Sequence, residues 1–312
     1  MQVSSTEVMA GSVPDWLPPL QGRRHDFTSG AAMPLVPIGG IHLCSSALWL
    51  PTHHHRHWEL HYVHRGRLVV ELPAATESGG ATLVVPGGWF CLTPPGRVHR
   101  GLDGILPPSQ LLWMQVAPGR PRAREGTPFT SADLSRLRRL LAQRADQAWP
   151  APPAMSEVFT RLGDLLATGA RDQDAAAVRS ALAQVLILAG RPGPIAAHPP
   201  ALIQACAALA KHPMRPCTVI SAARQAGLSP ARLHELCVRH LGCTPAAWQL
   251  DQRLAFARRR LAEGQPVAQV AAELGFSSPR YFAHAFRREV GVKPSGYADL
   301  SRRALAEPCL DW

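Results

Sequence analysis

The segment HHHRHWELHYVHRG (residues 53–66) concentrates histidines around one carboxylate, and these residue types suit the binding of a transition metal. Alternate side chains of an extended strand point to one face. A strand here would therefore bring five side chains to the same side: His53, His55, His57, Glu59 and His61. A further histidine, His99, ends the later stretch GGWFCLTPPGRVHRG. Because imidazole and carboxylate groups are common metal ligands, the region is a candidate metal site.

The residues around these histidines are typical of β structure. From about 35 to 117, short apolar runs such as TLVVP and QLLWMQV are separated by turns that contain Gly and Pro. The preceding residues, 1–34, are rich in Gly, Pro and Ser, and we expect them to form a flexible N-terminal arm. The pattern predicts a β domain that positions the histidines.

The spacing of the histidines resembles the two motifs of the cupin superfamily. The first motif would be His53-x-His55-x3-Glu59-x6-Gly66, and the second Gly88-x5-Pro94-x-Gly96-x2-His99. The resemblance implies a small jelly-roll β-barrel over 35–117, acting as an effector-binding or sensor domain. It also implies that one divalent Zn, Fe, Ni, Mn or Cu ion is held by His53, His55, Glu59 and His99. The first motif lacks its leading Gly, and Asp103 replaces an Asn. These side chains could instead line a pocket for an organic effector.

Beyond the β region the pattern becomes helical. Leu- and Ala-rich segments predict three helices, at 131–148, 155–169 and 173–190. The whole region 118–190 is a candidate for dimerisation, although amphipathic helices need only pack on the barrel. A linker rich in Gly and Pro (191–200) leads to helices joined by short turns over 201–303. Residues 304–312 are expected to form a tail.

The C-terminal region contains an internal repeat. Residues 223–248 align with residues 271–297, with one extra residue in the second turn. The matched positions are small, turn-forming and apolar, so chance is a poor explanation. They include Ala223 with Ala271, Gly227 with Gly275, Leu233 with Phe282, Cys237 with Phe286, and Trp248 with Tyr297.

Each copy is interpreted as a helix-turn-helix. Gly227 and Gly275 tolerate the left-handed conformation that ends the first helix. Ser229 in the first copy, and Ser277 or Ser278 in the second, can cap the next helix. Between the copies, residues 245–263 predict a continuous helix about 28 Å long, close to the roughly 34 Å between successive major grooves on one face of DNA.

The second copy, GFSSPRYFAHAFRREVGVKPSGY, closely resembles the signature of the AraC/XylS family of bacterial regulators. The resemblance covers about residues 201–303 and implies an all-α domain of two helix-turn-helix subdomains joined by a long helix. The second helix of each subdomain would enter the major groove of double-stranded DNA. The family's base-reading positions correspond to Ala231, Arg232, His234 and Glu235 in the first copy, and to Arg280, Tyr281, Ala283 and His284 in the second.

The chemistry of these side chains suggests particular contacts. Arg280 could read guanine, and Glu235 could accept a hydrogen bond from cytosine, whereas Ala231 and Ala283 could offer only apolar contact. Three arginines farther along the helices are expected to contact phosphate: Arg239, Arg287 and Arg288. Cys237 departs from the family, which usually has a large aromatic residue there, so the first subdomain is expected to pack less firmly.

Composition agrees with a DNA-binding protein and excludes some other classes. The net charge is +11, and residues 200–312 hold 15 Lys and Arg against 8 Asp and Glu. The seven cysteines are scattered and never spaced CxxC, which argues against a zinc finger or a disulfide framework. No apolar run approaches the 18 or so residues of a membrane span, and no signal peptide is evident. We expect a cytoplasmic protein without membrane contact.

The favoured hypothesis is a transcriptional regulator, not an enzyme, whose cupin-like domain responds to an unknown small molecule or a metal. Such a regulator could be a homodimer, and as an activator it would contact RNA polymerase. One alternative is a metal-dependent cupin enzyme, an oxygenase or isomerase, with a DNA-binding tail. Others are a constitutive DNA-binding protein whose barrel is a scaffold, and a helical bundle without nucleic acid.

Overall fold

The structure is a computed structural model that describes residues 22–28, 33–45, 48–73, 80–120, 122–167, 175–191, 199–212, 214, 217–241, 243–306 and 309–311. The chain forms two compact units. The first comprises Met1–Pro194 together with Pro308–Trp312, and the second is Ile195–Glu307.

The first unit is an antiparallel β-sheet domain followed by helices. Its strands are β1 (Gly22–Thr28), β2 (Ile38–Cys44), β3 (Leu48–Trp49), β4 (His53–His54), β5 (Trp58–Leu72), β6 (Ala81–Pro86), β7 (Trp89–Thr93), β8 (Arg100–Gly101), β9 (Ile105–Leu106), β10 (Ser109–Val116), β11 (Gln147–Pro150) and β12 (Leu310–Asp311). The main sheet has the order β1-β2-β10-β5-β7-β11, and β6 and β8 pair with the second half of β5. Strands β3 and β9 form a separate pair, and so do β4 and β12.

The main sheet buries both of its faces, as the alternation along β10 shows. Leu112, Met114 and Val116 belong to one hydrophobic cluster, whereas Leu111 and Trp113 belong to another. The first cluster lies between the sheet and the helices that follow it, and the second lies on the opposite face. Period-two alternation therefore gives β10 two apolar sides.

Three helices cover the first face: α1 (Ser131–Gln143), α2 (Ala154–Ala167) and α3 (Ala175–Ala189). Phe159 of α2 makes an edge contact with Tyr62 of β5, with ring centroids 5.8 Å apart, and stacks on His64 at 4.5 Å. Leu182 and Leu186 of α3 are buried in the same cluster. These apolar stripes thus pack on the sheet.

The structure differs from the sequence-based expectation at two places in this unit. Gly22–Thr28, assigned above to the flexible arm, forms β1 and pairs with β2 along its whole length. The helix expected at 131–148 ends at Gln143, and Gln147–Pro150 adds a strand to β7 instead. In both cases strand pairing overrides the local pattern, with the next strand in the first case and with a strand far away in sequence in the second. Residues 1–21 of the expected arm lie outside the described part of the chain.

The second unit is helical. Its helices are α4 (Pro200–Ala210), α5 (Val219–Gln225), α6 (Pro230–Leu241), α7 (Pro245–Ala262), α8 (Val267–Glu273), α9 (Pro279–Val290) and α10 (Tyr297–Ala306). The pairs α5–α6 and α8–α9 are the two helix-turn-helix copies, and α7 connects them. Within the described ranges, no helix of either unit is both long and apolar enough to cross a membrane.

The turns of the two copies have the same local chemistry. Gly227 and Gly275 both have φ of 67°, the left-handed conformation that favours glycine after a helix end. In the first copy, the Ser229 hydroxyl accepts a hydrogen bond from the Arg232 backbone N–H at 3.1 Å. In the second, Ser278 accepts from the Tyr281 N–H at 3.1 Å. The cap that the sequence left open between two serines is therefore Ser278.

The cores of the copies differ in the size of their side chains. In the second copy, Phe286 lies between Phe282 and Tyr297, with ring centroids 5.6 and 5.3 Å away. The corresponding residue of the first copy, Cys237, is fully buried in a cluster of mainly Ala and Leu. The second copy therefore has an aromatic core, whereas the buried residues of the first are Ala, Leu and Cys, with the partly buried Trp248 packed against them.

Replacement of the α9 cap should destabilise the helical unit. We expect Ser278→Ala to lower the free energy of unfolding by about 1 kcal/mol, because an N-terminal N–H of α9 loses its partner. The neighbouring Ser277→Ala is the matched control and should change it by less than about 0.5 kcal/mol. Urea unfolding followed by far-UV circular dichroism measures both, and equal losses would contradict the assignment.

Candidate functional site

The second helix of each copy buries one face and exposes the other. Helix α6 buries Leu233, Leu236 and Cys237, and α9 buries Phe282, Ala285, Phe286 and Val290. The positions named above as base-reading lie on the opposite faces. Those that are exposed are Ala231, Arg232, His234, Glu235, Arg280, Tyr281 and His284, whereas Ala283 is half-buried. The arginines expected to contact phosphate are also exposed: Arg239, Arg287 and Arg288.

The two exposed faces differ in how their charges are paired. On α6, a guanidinium nitrogen of Arg232 lies 2.6 Å from a carboxylate oxygen of Glu235, and this contact lowers the pKa of Glu235. On α9, Arg280 and Arg287 make no ion pair with any residue that the structure describes. The exposed face of α9 therefore carries guanidinium groups that are not neutralised by an ion pair. On α6, Arg232 and Glu235 must separate before either side chain binds a ligand alone, or they bind it together.

Two arginines of helix α7 contact the second copy. The guanidinium of Arg253 lies 4.4 Å from the centre of the Phe276 ring and donates a hydrogen bond to the Leu274 carbonyl. Arg260 lies 3.3 Å from the Glu273 carboxylate. Both arginines are thus engaged with protein groups, and they hold the connecting helix against the turn and first helix of the second copy.

The histidine cluster lies on the face of the sheet opposite the helices. Glu59 lies on β5 two residues from His61 and four from Val63, which belongs to the second hydrophobic cluster. His53 is in β4, and its backbone exchanges two hydrogen bonds of 2.9 Å with His99. The four expected ligands, His53, His55, Glu59 and His99, are between 1% and 6% exposed. Their ligand atoms all lie within 4.8 Å of one another.

Each of the three histidines is oriented by a backbone carbonyl. The Nδ1 atoms of His53, His55 and His99 lie 2.8, 2.9 and 2.8 Å from the carbonyl oxygens of Pro51, His57 and Arg97. Because a carbonyl can only accept, Nδ1 must donate, and Nε2 of each neutral ring keeps its lone pair. Metal-binding histidines are commonly held in this way by the nitrogen that does not bind the metal.

The centre of the cluster requires a positive charge. One carboxylate oxygen of Glu59 lies 3.2 Å from Nε2 of His55 and 3.1 Å from Nε2 of His99. Lone pairs that face each other at this distance repel unless a cation lies between them. The cation can be a proton on one imidazole or a metal ion, and the donor set of three imidazoles and one carboxylate fits a divalent transition metal.

The pKa values describe the charge of the cluster. Burial and the neighbouring His99 lower the pKa of His53 to about 3. Burial acts to raise the pKa of Glu59, but His61, His55 and the hydrogen bond from His55 outweigh it and hold that pKa well below its usual range. Burial also opposes protonation of His55, yet the charge of Glu59 raises its pKa. The cluster therefore contains an ionised carboxylate beside a neutral His53.

One histidine expected on the shared face does not join the cluster. The chain bends at residues 55–57 between β4 and β5, so His57 lies apart and only half-buried. His61 remains near, with its Nδ1 3.8 Å from the Glu59 carboxylate. His42 was not identified from the sequence, and its Nε2 accepts a hydrogen bond from the Trp113 indole at 3.0 Å. Only the strand pairing that brings β2 beside β10 could have identified it.

Comparison with known proteins gives matches to part of the chain. A family model described as a helix-turn-helix domain matches residues 222–299. The arabinose operon regulatory protein of Salmonella typhimurium is 34% identical over 80 residues, which cover 25% of this chain and 28% of the relative. The probable transcriptional regulator LumQ of Photobacterium leiognathi is 35% identical over 88 residues, covering 28% of this chain and 36% of LumQ. The chain thus matches about a third or less of the length of these relatives.

A solved structure matches the same kind of domain. It is a transcriptional regulator from Chromobacterium violaceum, described as having an AraC-type DNA-binding domain. It is 25% identical, covers 35% of this chain and 95% of its own, and superposes with a TM-score of 0.32.

The family model spans the region from α5 to the start of α10, where two capped helix-turn-helix copies flank α7. Both of the sequence relatives are named as regulators. The C-terminal region of the chain is therefore similar to the helix-turn-helix domain of transcriptional regulators.

Proposed function

We propose that the protein is a sequence-specific transcriptional regulator that reads two successive major grooves of double-stranded DNA with α6 and α9. The observation that carries the proposal is the pair of short, capped helices, each with a buried apolar face and an exposed polar one, inside the domain that matches the family. Helix α7 has 18 residues and is therefore about 27 Å long, comparable with the roughly 34 Å spacing of major grooves.

The proposed base contacts follow from side-chain chemistry. Arg280 can donate two hydrogen bonds to guanine, and Glu235 can accept one from cytosine once it separates from Arg232. Ala231 and Ala283 can contact a thymine methyl group. The remaining reading positions are assigned by the family resemblance: Arg232, His234, Tyr281 and His284. Arg239, Arg287 and Arg288 are assigned to phosphate, where they raise the affinity for any sequence.

We further propose that the β domain is a cupin-like sensor whose site consists of His53, His55, Glu59 and His99. The backbone anchoring of all three Nδ1 atoms supports a metal site, because it aims each Nε2 at a common centre. The glycines of the cupin-like motifs also adopt the positive φ that tight turns need: 79° at Gly66, 82° at Gly88 and 72° at Gly96. A divalent metal there would act as a Lewis acid toward an oxygen or nitrogen donor of an effector.

The proposed mechanism is a shift between states of the regulator. An effector or metal in the β domain would bind one state more tightly and so change how the DNA-binding domain engages its site. Apart from Gly22–Thr28 and Gln147–Pro150, which join the main sheet, the domain boundaries given by the sequence remain part of this proposal, with 118–190 as the region for dimerisation. The protein would act in the cytoplasm, and contact RNA polymerase if it is an activator.

Arg280→Ala should weaken DNA binding selectively at one or two base pairs, because the loss concerns a base contact. We expect a cost of about 1–3 kcal/mol on the preferred site and little change on sites altered at those pairs. Sequences selected from random DNA by the purified protein supply the site, and titration against every single-base change measures specificity. Arg287→Ala is the matched control and should weaken binding to all sequences alike. An equal loss on all sequences with Arg280→Ala would assign that residue to the DNA backbone.

Protein purified without a polyhistidine tag or a chelating column should contain nearly one equivalent of a divalent transition metal per chain. We expect His55→Ala to remove the metal, since one of the four ligands is lost, whereas His57→Ala should retain it because His57 lies outside the cluster. Elemental analysis by mass spectrometry measures both. Less than about a tenth of an equivalent in the unaltered protein would favour an organic effector over a metal.

A further inference from the structure

The chain returns to the β domain after its last helix. Residues Leu310–Asp311 form β12, which runs parallel to β4, with Leu310 opposite His53 and Asp311 opposite His54. The Leu310 backbone N–H donates a hydrogen bond of 2.9 Å to the Thr52 carbonyl oxygen. Pro308–Trp312 is accordingly part of the first compact unit, although it follows the whole of the second unit in sequence.

Strand β4 is only two residues long, and its backbone forms hydrogen bonds along both edges. On one edge, His53 exchanges two backbone hydrogen bonds with His99. On the other edge lies β12. An edge strand with unpaired N–H and carbonyl groups is a template for an added strand, and main-chain hydrogen bonds supply the affinity in such complexes. The edge of β4 is thus a site for an extended peptide.

We propose that this edge of β4 is a peptide-binding site occupied by the chain's own segment Cys309–Asp311, and that docking of this segment and binding at the histidine cluster stabilise each other. The second half of the proposal rests on the ligand site proposed above. Docking holds the backbone at Thr52 and His53, from which the His53 ring projects into the cluster. The same ring is anchored through Nδ1 to Pro51, so docking fixes the geometry that a ligand needs.

Docking of β12 gives the β domain a second attachment to the chain of the DNA-binding unit, made by hydrogen bonds. The second unit, Ile195–Glu307, is joined to the first by the chain at its beginning. When β12 is docked, the unit is also held at its end. Release of β12 leaves one connection instead of two and increases the freedom of the DNA-binding unit. A ligand at the cluster would favour the docked state of β12 over the released state and so restrict the motion of the DNA-binding unit. Allosteric coupling requires such a difference in affinity between two states.

The test compares Leu310→Pro with Leu310→Ala in the full chain. Proline removes the N–H that bonds to Thr52, whereas alanine keeps it. Hydrogen–deuterium exchange of a peptide that spans residues 50–56 should accelerate in Leu310→Pro and remain near the unaltered rate in Leu310→Ala. The Leu310 amide of the unaltered chain should exchange more slowly than in an unstructured peptide.

Zn²⁺ alone serves as the probe of linkage. Its affinity should fall by about tenfold in Leu310→Pro and remain within about threefold in Leu310→Ala, a coupling within the usual range. Adding Zn²⁺ should slow exchange of the Leu310 amide further. Exchange of that amide at the rate of an unstructured peptide, with and without Zn²⁺, would overturn the docking proposal. A protected amide in a chain that does not bind Zn²⁺ would support docking while contradicting the metal site.

Discussion

The β domain is organised around a buried carboxylate that must be balanced by positive charge. Removing an ionised Glu59 from water costs several kcal/mol unless neighbouring groups compensate. The compensation must be a cation among the ligand atoms, either a proton or a metal ion, because Nε2 of His55 and Nε2 of His99 lie 3.2 and 3.1 Å from the same oxygen. Because these residues come from β5, from the bend before it and from the loop before β8, the charge balance depends on correct pairing of distant strands.

The second unit, Ile195–Glu307, is subject to a different constraint, the shortness of its helices. Helices α5 and α8 have seven residues each, well below the roughly 12–15 that an isolated helix needs to be stable in water. Each therefore depends on its turn and on packing against α6 or α9. The necessary signals, such as Gly227 and Ser229, lie within a few residues of one another. A helix-turn-helix is thus encoded locally, and a defect in one turn affects the second helix of that copy.

This difference explains how much could be predicted from the sequence. The repeat, both turns and the exposed face of α9 could be derived, because Gly275, Ser278 and Phe282 act on their immediate neighbours. The four-residue cluster was found from spacing that resembles a known motif. The bend that removes His57, the strand at Gln147–Pro150 and the return of Leu310 to β4 could not be derived, because each depends on pairing with a strand far away in sequence.

The two copies are unequal in ways that reinforce one another. Phe286 has aromatic neighbours on two sides, and α9 presents an arginine without an ion-pair partner among the described residues. In the first copy Cys237 fills the equivalent position, and Arg232 is already paired with Glu235. On binding DNA, a helix whose guanidinium has no ion pair to break would give up little free energy. Helix α6 would first have to break the ion pair between Arg232 and Glu235. We therefore expect α9 to set the preferred sequence, and α6 to be the copy whose engagement a change in the sensor domain can most readily alter.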